Sequence, residues 1–325
     1  MSKRSKKRRT DRHTYPGSTG GRLRPGQGTG PSISMLVLAG GGAAARGQDA
    51  VFEDASLALL ARADALGTDT VAAVVGEVFG SVLGKVFEHG WQPREVVRAS
   101  RRRRSSRHTE LLITAMGAEV AWREAKGATA PPAWRDQLDE LEVAPWWGGG
   151  PDWLDPWARR ARLGWPEGLM MAMETLGVLM TLPDLEALLP PPSQWAGWRP
   201  TAANRDADDP ILAKVRALLA KAESTSFDAE AEALSAKAQQ LMARHAIDEA
   251  IARSASGRRV EKPAARRFAV DDPYASAKSR LLSAVAATNG GRSIWYEEFA
   301  LMAVVAFEAD LDAIDTLFTS LLVQG

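Results

Sequence analysis

The chain has 325 residues, 45% hydrophobic and 25% charged, a composition that supports a true core and a length that fits two or three domains. It contains no cysteine, which excludes disulfides, thiolate metal sites and cysteine nucleophiles and fits a reducing compartment. The net charge of +1 conceals a division, because residues 1–31 carry nine Lys/Arg against Asp11 alone and the remainder is net acidic at −7.

No apolar run approaches the ~20 residues that span a bilayer, and the basic start lacks the apolar centre of a secretory signal. The expected location is the cytoplasm, with no membrane partner. Residues 1–48 read as a disordered basic tail followed by a Gly-rich linker. Lys6, Lys7, Arg8 and Arg9 form its densest charge, suited to nucleic acid or another polyanion, with self-association as the plainer competitor. The string Gly40-x-Gly42-x-x-Ala45 has a dinucleotide-fingerprint spacing, but no second strand with an acidic end follows, so it is assigned to the linker.

Residues 49–128 read as a helical domain. Leu57, Leu60 and Ala61, then Val71, Val74, Val75, Val78, Phe79 and Val82, recur at three-to-four spacing, and Thr68, Asp69 or Thr70 offers a cap. His89 to Pro93 breaks the pattern. Pro93 suits the first turn of a new helix that carries Val96 and Val97 toward Arg101, and another helix is expected from about His108 to Lys126. Arg94, Arg98, Arg101, Arg102, Arg103, Arg104 and Arg107 crowd this short stretch. Like charges at that density destabilise a helix unless phosphates or the acidic body offset them, and both partners fit the pattern.

Residues 129–209 hold most of the eleven tryptophans and of the eighteen prolines. They read as an irregular connector with short helices, such as 166–180 and 183–189, pinned by aromatic side chains. Exposed tryptophans would instead permit base stacking or a protein contact. Residues 210–250 form an amphipathic pair of helices. Ile211, Val215, Leu218 and Ala222 make one stripe, widened by Leu212 and Leu219, Ser224 to Asp228 turns the chain, and Leu234, Ala238, Leu241 and Met242 make the returning stripe, antiparallel to the first. After a linker over 251–272, residues 273–325 read as a small α+β unit. A helix spans 274–288, Asn289-Gly-Gly291 turns, short strands occupy 293–297 and 299–307, and Asp310 caps a last helix. The second of these strands could equally be a buried helix by its pattern.

The string Ile211-x-x-Lys-Val-x-x-Leu-Leu-x-x-Ala-Glu223, with Glu230-Ala-Glu-Ala233, Lys237-Ala-Gln-x-Leu-Met242 and His245-x-Ile-Asp248, resembles the bacterial and phage family called domain of unknown function 2786. Residues 274–325 are similar to the domain that often follows it, domain of unknown function 7168. The resemblance implies a helical hairpin and a C-terminal domain with further helix beyond Gly325. It brings no reaction and no catalytic residues.

Among His13, His89, His108 and His245 no pair has metal-ligand spacing on one helix face. His89 and His108 read as unrelated surface side chains, with a meeting beside Glu88 and Glu110 as the alternative. His245 is placed near a helix C-terminus, against the terminal carbonyls. Glu124-Ala-Lys126 has a nuclease-like spacing, yet ends a helix where such residues project from strands. The expected architecture is mainly α, with an N-terminal helical domain, a central antiparallel hairpin and a small α+β C-terminal unit. The expected function is non-enzymatic nucleic-acid binding, to DNA or RNA, through the basic segments. The alternatives are a protein adaptor using the hairpin or the Trp-rich connector, and an unrecognised hydrolase. No cofactor or metal is expected.

Overall fold

The computed structural model describes residues 30–196, 210–255 and 263–324, so the tail with Lys6, Lys7, Arg8 and Arg9 lies outside the described residues. The chain divides into two compact units, residues 1–199 and 200–325. The architecture is mainly α, with twelve helices and one three-stranded sheet among the described residues.

The first unit joins the expected helical domain and the Trp-rich connector into one body. Its helices are α1 (Ile33–Arg46), α2 (Asp49–Leu66), α3 (Thr68–Glu88), α4 (Pro93–Arg103), α5 (Ser106–Ala125), α6 (Pro132–Glu140), α7 (Leu154–Arg160) and α8 (Trp165–Met180). The segment expected as a Gly-rich linker is therefore a helix. Ser32 caps it by accepting from the Met35 amide at 3.3 Å, and Gly40, Gly41 and Gly42 are buried within it. Glycine in a helix costs about 1 kcal/mol relative to alanine. Close packing on α8 offsets this, since a Cβ added at Gly177 would lie 2.8 Å from the Gly41 carbonyl oxygen.

Helix α3 lies at the centre, against α1, α2, α5, α7 and α8. It corrects the expectation about apolar length: its best window has mean hydropathy 1.6, enough to cross a membrane by length and composition. Its apolar faces are filled by neighbouring helices, with Val71, Val75, Phe79 and Leu83 fully buried. Gly76 on α3 admits the Gly-rich loop, because a Cβ there would collide with the Pro151 carbonyl oxygen.

The tryptophans staple the irregular segments. Trp134 meets Phe87 and Trp195 edge-on at 5.1 and 5.2 Å, and Trp153 meets Phe79 at 5.3 Å. Trp91, Trp134, Trp153, Trp157 and Trp195 are buried, whereas Trp146 is 40% exposed. Segment 183–189, expected as a helix, is not one. The Trp91 indole donates to the Pro183 carbonyl at 2.7 Å and the Leu185 amide donates to the His89 carbonyl at 2.9 Å, diverting groups a helix would use internally.

The second unit comprises α9 (Pro210–Ser224), α10 (Asp228–Ala255), β1 (Ala264–Ala269), α11 (Ala275–Thr288), β2 (Arg292–Tyr296), β3 (Leu301–Ala306) and α12 (Glu308–Gln324). The hairpin α9–α10 has the expected stripes: Val215, Leu219, Ala222, Ala238 and Met242 are buried. Val215, Leu219, Ala238 and Met242 share one core with Leu311, Ile314, Leu317 and Phe318 of α12 and with Leu282 of α11. At the turn, the Thr225 hydroxyl donates to Glu230 at 2.8 Å and Lys221 pairs with the same carboxylate at 3.1 Å, which holds the Glu230 carboxyl below the usual range. Helix α10 runs to Ala255, so His245 does not stand at its end.

Strands β2 and β3 occupy the expected segments. Strand β1 falls within the expected linker. The sheet order is β1-β3-β2, antiparallel throughout, with Phe268 and Trp295 both opposite Met302. Helices α11 and α12 pack on the sheet, and the hairpin packs on α12.

Candidate nucleic-acid interface

The arginine segment is built from the end of α4 and the start of α5. Pro93 supplies a pre-set first turn, and the Gln92 amide donates to Glu95 at 2.9 Å to complete a capping box. Val96, Val97, Ala99 and Ser100 bury one side of α4, and the rest of its surface carries arginines. Arg101, Arg102 and Arg103 occupy the last turn, where the helix carbonyls favour cations. Arg107 sits in the first turn of α5, where the dipole disfavours a cation.

The arginines differ in how they are held. Arg94 is ion-paired with Glu140 of α6. Arg103 donates to the Thr181 hydroxyl at 2.9 Å. Arg104, half-buried, lies 3.6 Å from Glu174 of α8, and Arg98 and Arg102 have partners within the protein as well. Arg101 and Arg107 are exposed, and among the described residues neither side chain makes a hydrogen bond or an ion pair. Sequence alone gave all seven the same standing.

A polar chain fixes this segment. Ser105 Oγ lies 2.8 Å from His108 Nδ1, and His108 Nε2 lies 2.8 Å from Glu174 Oε2. The hydrogen bond from His108, reinforced by the charge of Arg104, holds the Glu174 carboxyl below the usual range despite its partial burial. Ser105 and His108 share one turn at the start of α5, and Glu174 anchors that turn to α8. The sequence reading missed Ser105, Glu174 and Thr181, whose only signal was a polar residue inside an otherwise apolar helix or at its edge.

The histidines do not converge. His108 is buried, whereas His89 is exposed and pairs with Asp184 at 2.5 Å, and Glu88 instead holds Ser193 through its amide and hydroxyl at 2.7 and 2.6 Å. Lys126 stands over the Trp122 ring at 3.8 Å, so the nuclease-like spacing with Glu124 is a cation–π contact at a helix end. Among the described residues no group of three or more His, Asp or Glu is arranged to hold a metal.

No curated protein and no solved structure matches the chain. Residues 211–249, the hairpin of the second unit, match the family described as "Protein of unknown function (DUF2786)".

Proposed function

We propose that this is a non-enzymatic nucleic-acid-associated binding protein whose first unit meets backbone phosphates with Arg101 and Arg107. The observation that carries the reading is selective pairing. Arg94, Arg103 and Arg104 are tied to Glu140, Thr181 and Glu174, and these ties present Arg101 and Arg107 outward without a partner among the described residues. Phosphates that meet these side chains offset both the like-charge density of the segment and the unfavourable placement of Arg107 at a helix start. Lys6, Lys7, Arg8 and Arg9 add a second, sequence-independent attraction to the same polyanion.

The same reading includes a cytoplasmic location and a C-terminal domain similar to domain of unknown function 7168 over 274–325. The adaptor reading has less behind it, because Trp134, Trp153, Trp157 and Trp195 of the connector are buried and the hairpin stripes pack within their own unit. The test is salt-titrated binding of the full chain to double- and single-stranded DNA and RNA. Affinity that falls linearly on a log–log salt plot supports the reading, and no binding at low salt overturns it.

A further inference from the structure

The turn that opens α5 departs from an ordinary helix start. Ser105 stands at its N-cap position, where a serine hydroxyl ordinarily accepts from an amide of the first turn, yet its side chain makes no such bond. Its Oγ lies instead 2.8 Å from His108 Nδ1, and His108 Nε2 lies 2.8 Å from Glu174 Oε2. The donors along this chain follow from the groups themselves. The hydrogen bond from His108, with the charge of Arg104, outweighs partial burial and keeps the Glu174 carboxyl ionised, so it can only accept. In the neutral imidazole Nε2 therefore carries the proton, Nδ1 presents a lone pair, and the Ser105 hydroxyl donates to it.

A hydroxyl with a base at hydrogen-bond distance, the base itself oriented by a carboxylate, is the arrangement that activates a nucleophile. Ser105 is exposed and its base His108 is buried. Residues 101–107 hold five arginines and no acid, so an anionic reactant is the one attracted to this turn. The first amides of α5 lie beyond the reach of intrahelical carbonyls and favour negative charge at the same end. Ser106, one residue on, is a natural comparison: it is exposed too, and among the described residues its hydroxyl makes no hydrogen bond.

We propose that Ser105 is a modification site, a nucleophile that takes an acyl group from an anionic acyl donor of the acyl phosphate class. Ser105 Oγ forms a bond to the carbonyl carbon while its proton passes to His108 Nδ1, and Glu174 stabilises the imidazolium so formed. The bond from that carbon to the phosphate oxygen then breaks, and His108 returns the proton to the departing phosphate, whose charge is met by Arg101 and Arg107. No oxidant or reductant enters. One acyl group is taken per chain, so the step adds a modification to a binding protein and not a turnover. It rests on the Ser105, His108 and Glu174 contacts and stands whether or not the arginines bind nucleic acid.

The test incubates the full chain with acetyl phosphate at neutral pH and follows the acetyl ester on each serine by peptide mass spectrometry. Ser105 is expected to acylate about 100-fold faster than Ser106 or more, the lower end of what a positioned base supplies. His108→Ala is expected to bring the Ser105 rate down to that of Ser106, and added imidazole to restore part of it. Glu174→Gln is expected to lower the limiting rate at Ser105 without changing the acetyl phosphate concentration that half-saturates it. Arg101→Ala/Arg107→Ala is expected to raise that concentration. Equal rates at Ser105 and Ser106 in the wild-type chain overturn the proposal, a result that depends on no variant. So does a Ser105 rate unchanged in His108→Ala. Acylation by a neutral phenyl ester but not by acetyl phosphate overturns the donor class.

Discussion

Replacing Arg101 and Arg107 together by Ala tests the arginine segment most sharply, because these two exposed side chains lack partners among the described residues. Each arginine that neutralises a phosphate contributes about 0.9 to the log–log salt slope on duplex DNA. A fourfold rise, from about 50 to about 200 mM salt, then weakens binding about 3.5-fold per contact, or about 12-fold for two. The double variant is expected to lose about 1.8 from the slope, measured by fluorescence anisotropy at several salt concentrations. Arg94→Ala serves as the internal comparison. Its guanidinium is already paired with Glu140, and the slope is expected to stay near wild type. An unchanged slope in the double variant, or an equal loss in Arg94→Ala, refutes the selective-pairing argument.

Three further outcomes concern the fold that positions these groups. Gly76→Ala is expected to destabilise by about 1–3 kcal/mol by overpacking, because its Cβ would collide with the Pro151 carbonyl; a melting temperature at or above wild type contradicts the close contact. Trp134→Ala removes a side chain only 1% exposed between Phe87 and Trp195 and is expected to cost about 3–5 kcal/mol in denaturant unfolding, with a loss under about 1 kcal/mol ruling out the staple. Glu174→Gln tests the polar chain through pH. The folded-state pKa is lowered, so the carboxylate's contribution is present above the ordinary glutamate value of about 4.3 and is lost as pH falls through the folded value. Wild type is therefore expected to exceed the variant in melting temperature at neutral pH and to converge with it in acid; a constant gap across that range contradicts the assignment.

Local pattern made some of this structure legible and left other parts hidden. The hairpin was readable because Val215, Leu219 and Ala222, and then Ala238 and Met242, fall on helical stripes that survive without knowing what covers them. Gly40, Gly41 and Gly42 were not, since three glycines favour a helix only where another backbone comes close, and Gly177 lies far along the chain. Strand β1 was hidden for a related reason: Arg266 and Arg267 interrupt its apolar pattern, and only the carboxylates of α12 explain a charged residue facing the helices. The arginine cluster was legible as a cluster. Which members were spoken for was not, because Glu140 and Glu174 reach Arg94 and Arg104 only through tertiary packing.

The most direct measurement of the central claim is equilibrium binding of the unmodified full chain to duplex and single-stranded DNA and RNA across a salt series. Binding at low salt that weakens linearly on log–log axes with both strand types is the expected result. Absence of binding to every one of these ligands at low salt, by a chain shown to be folded, contradicts it.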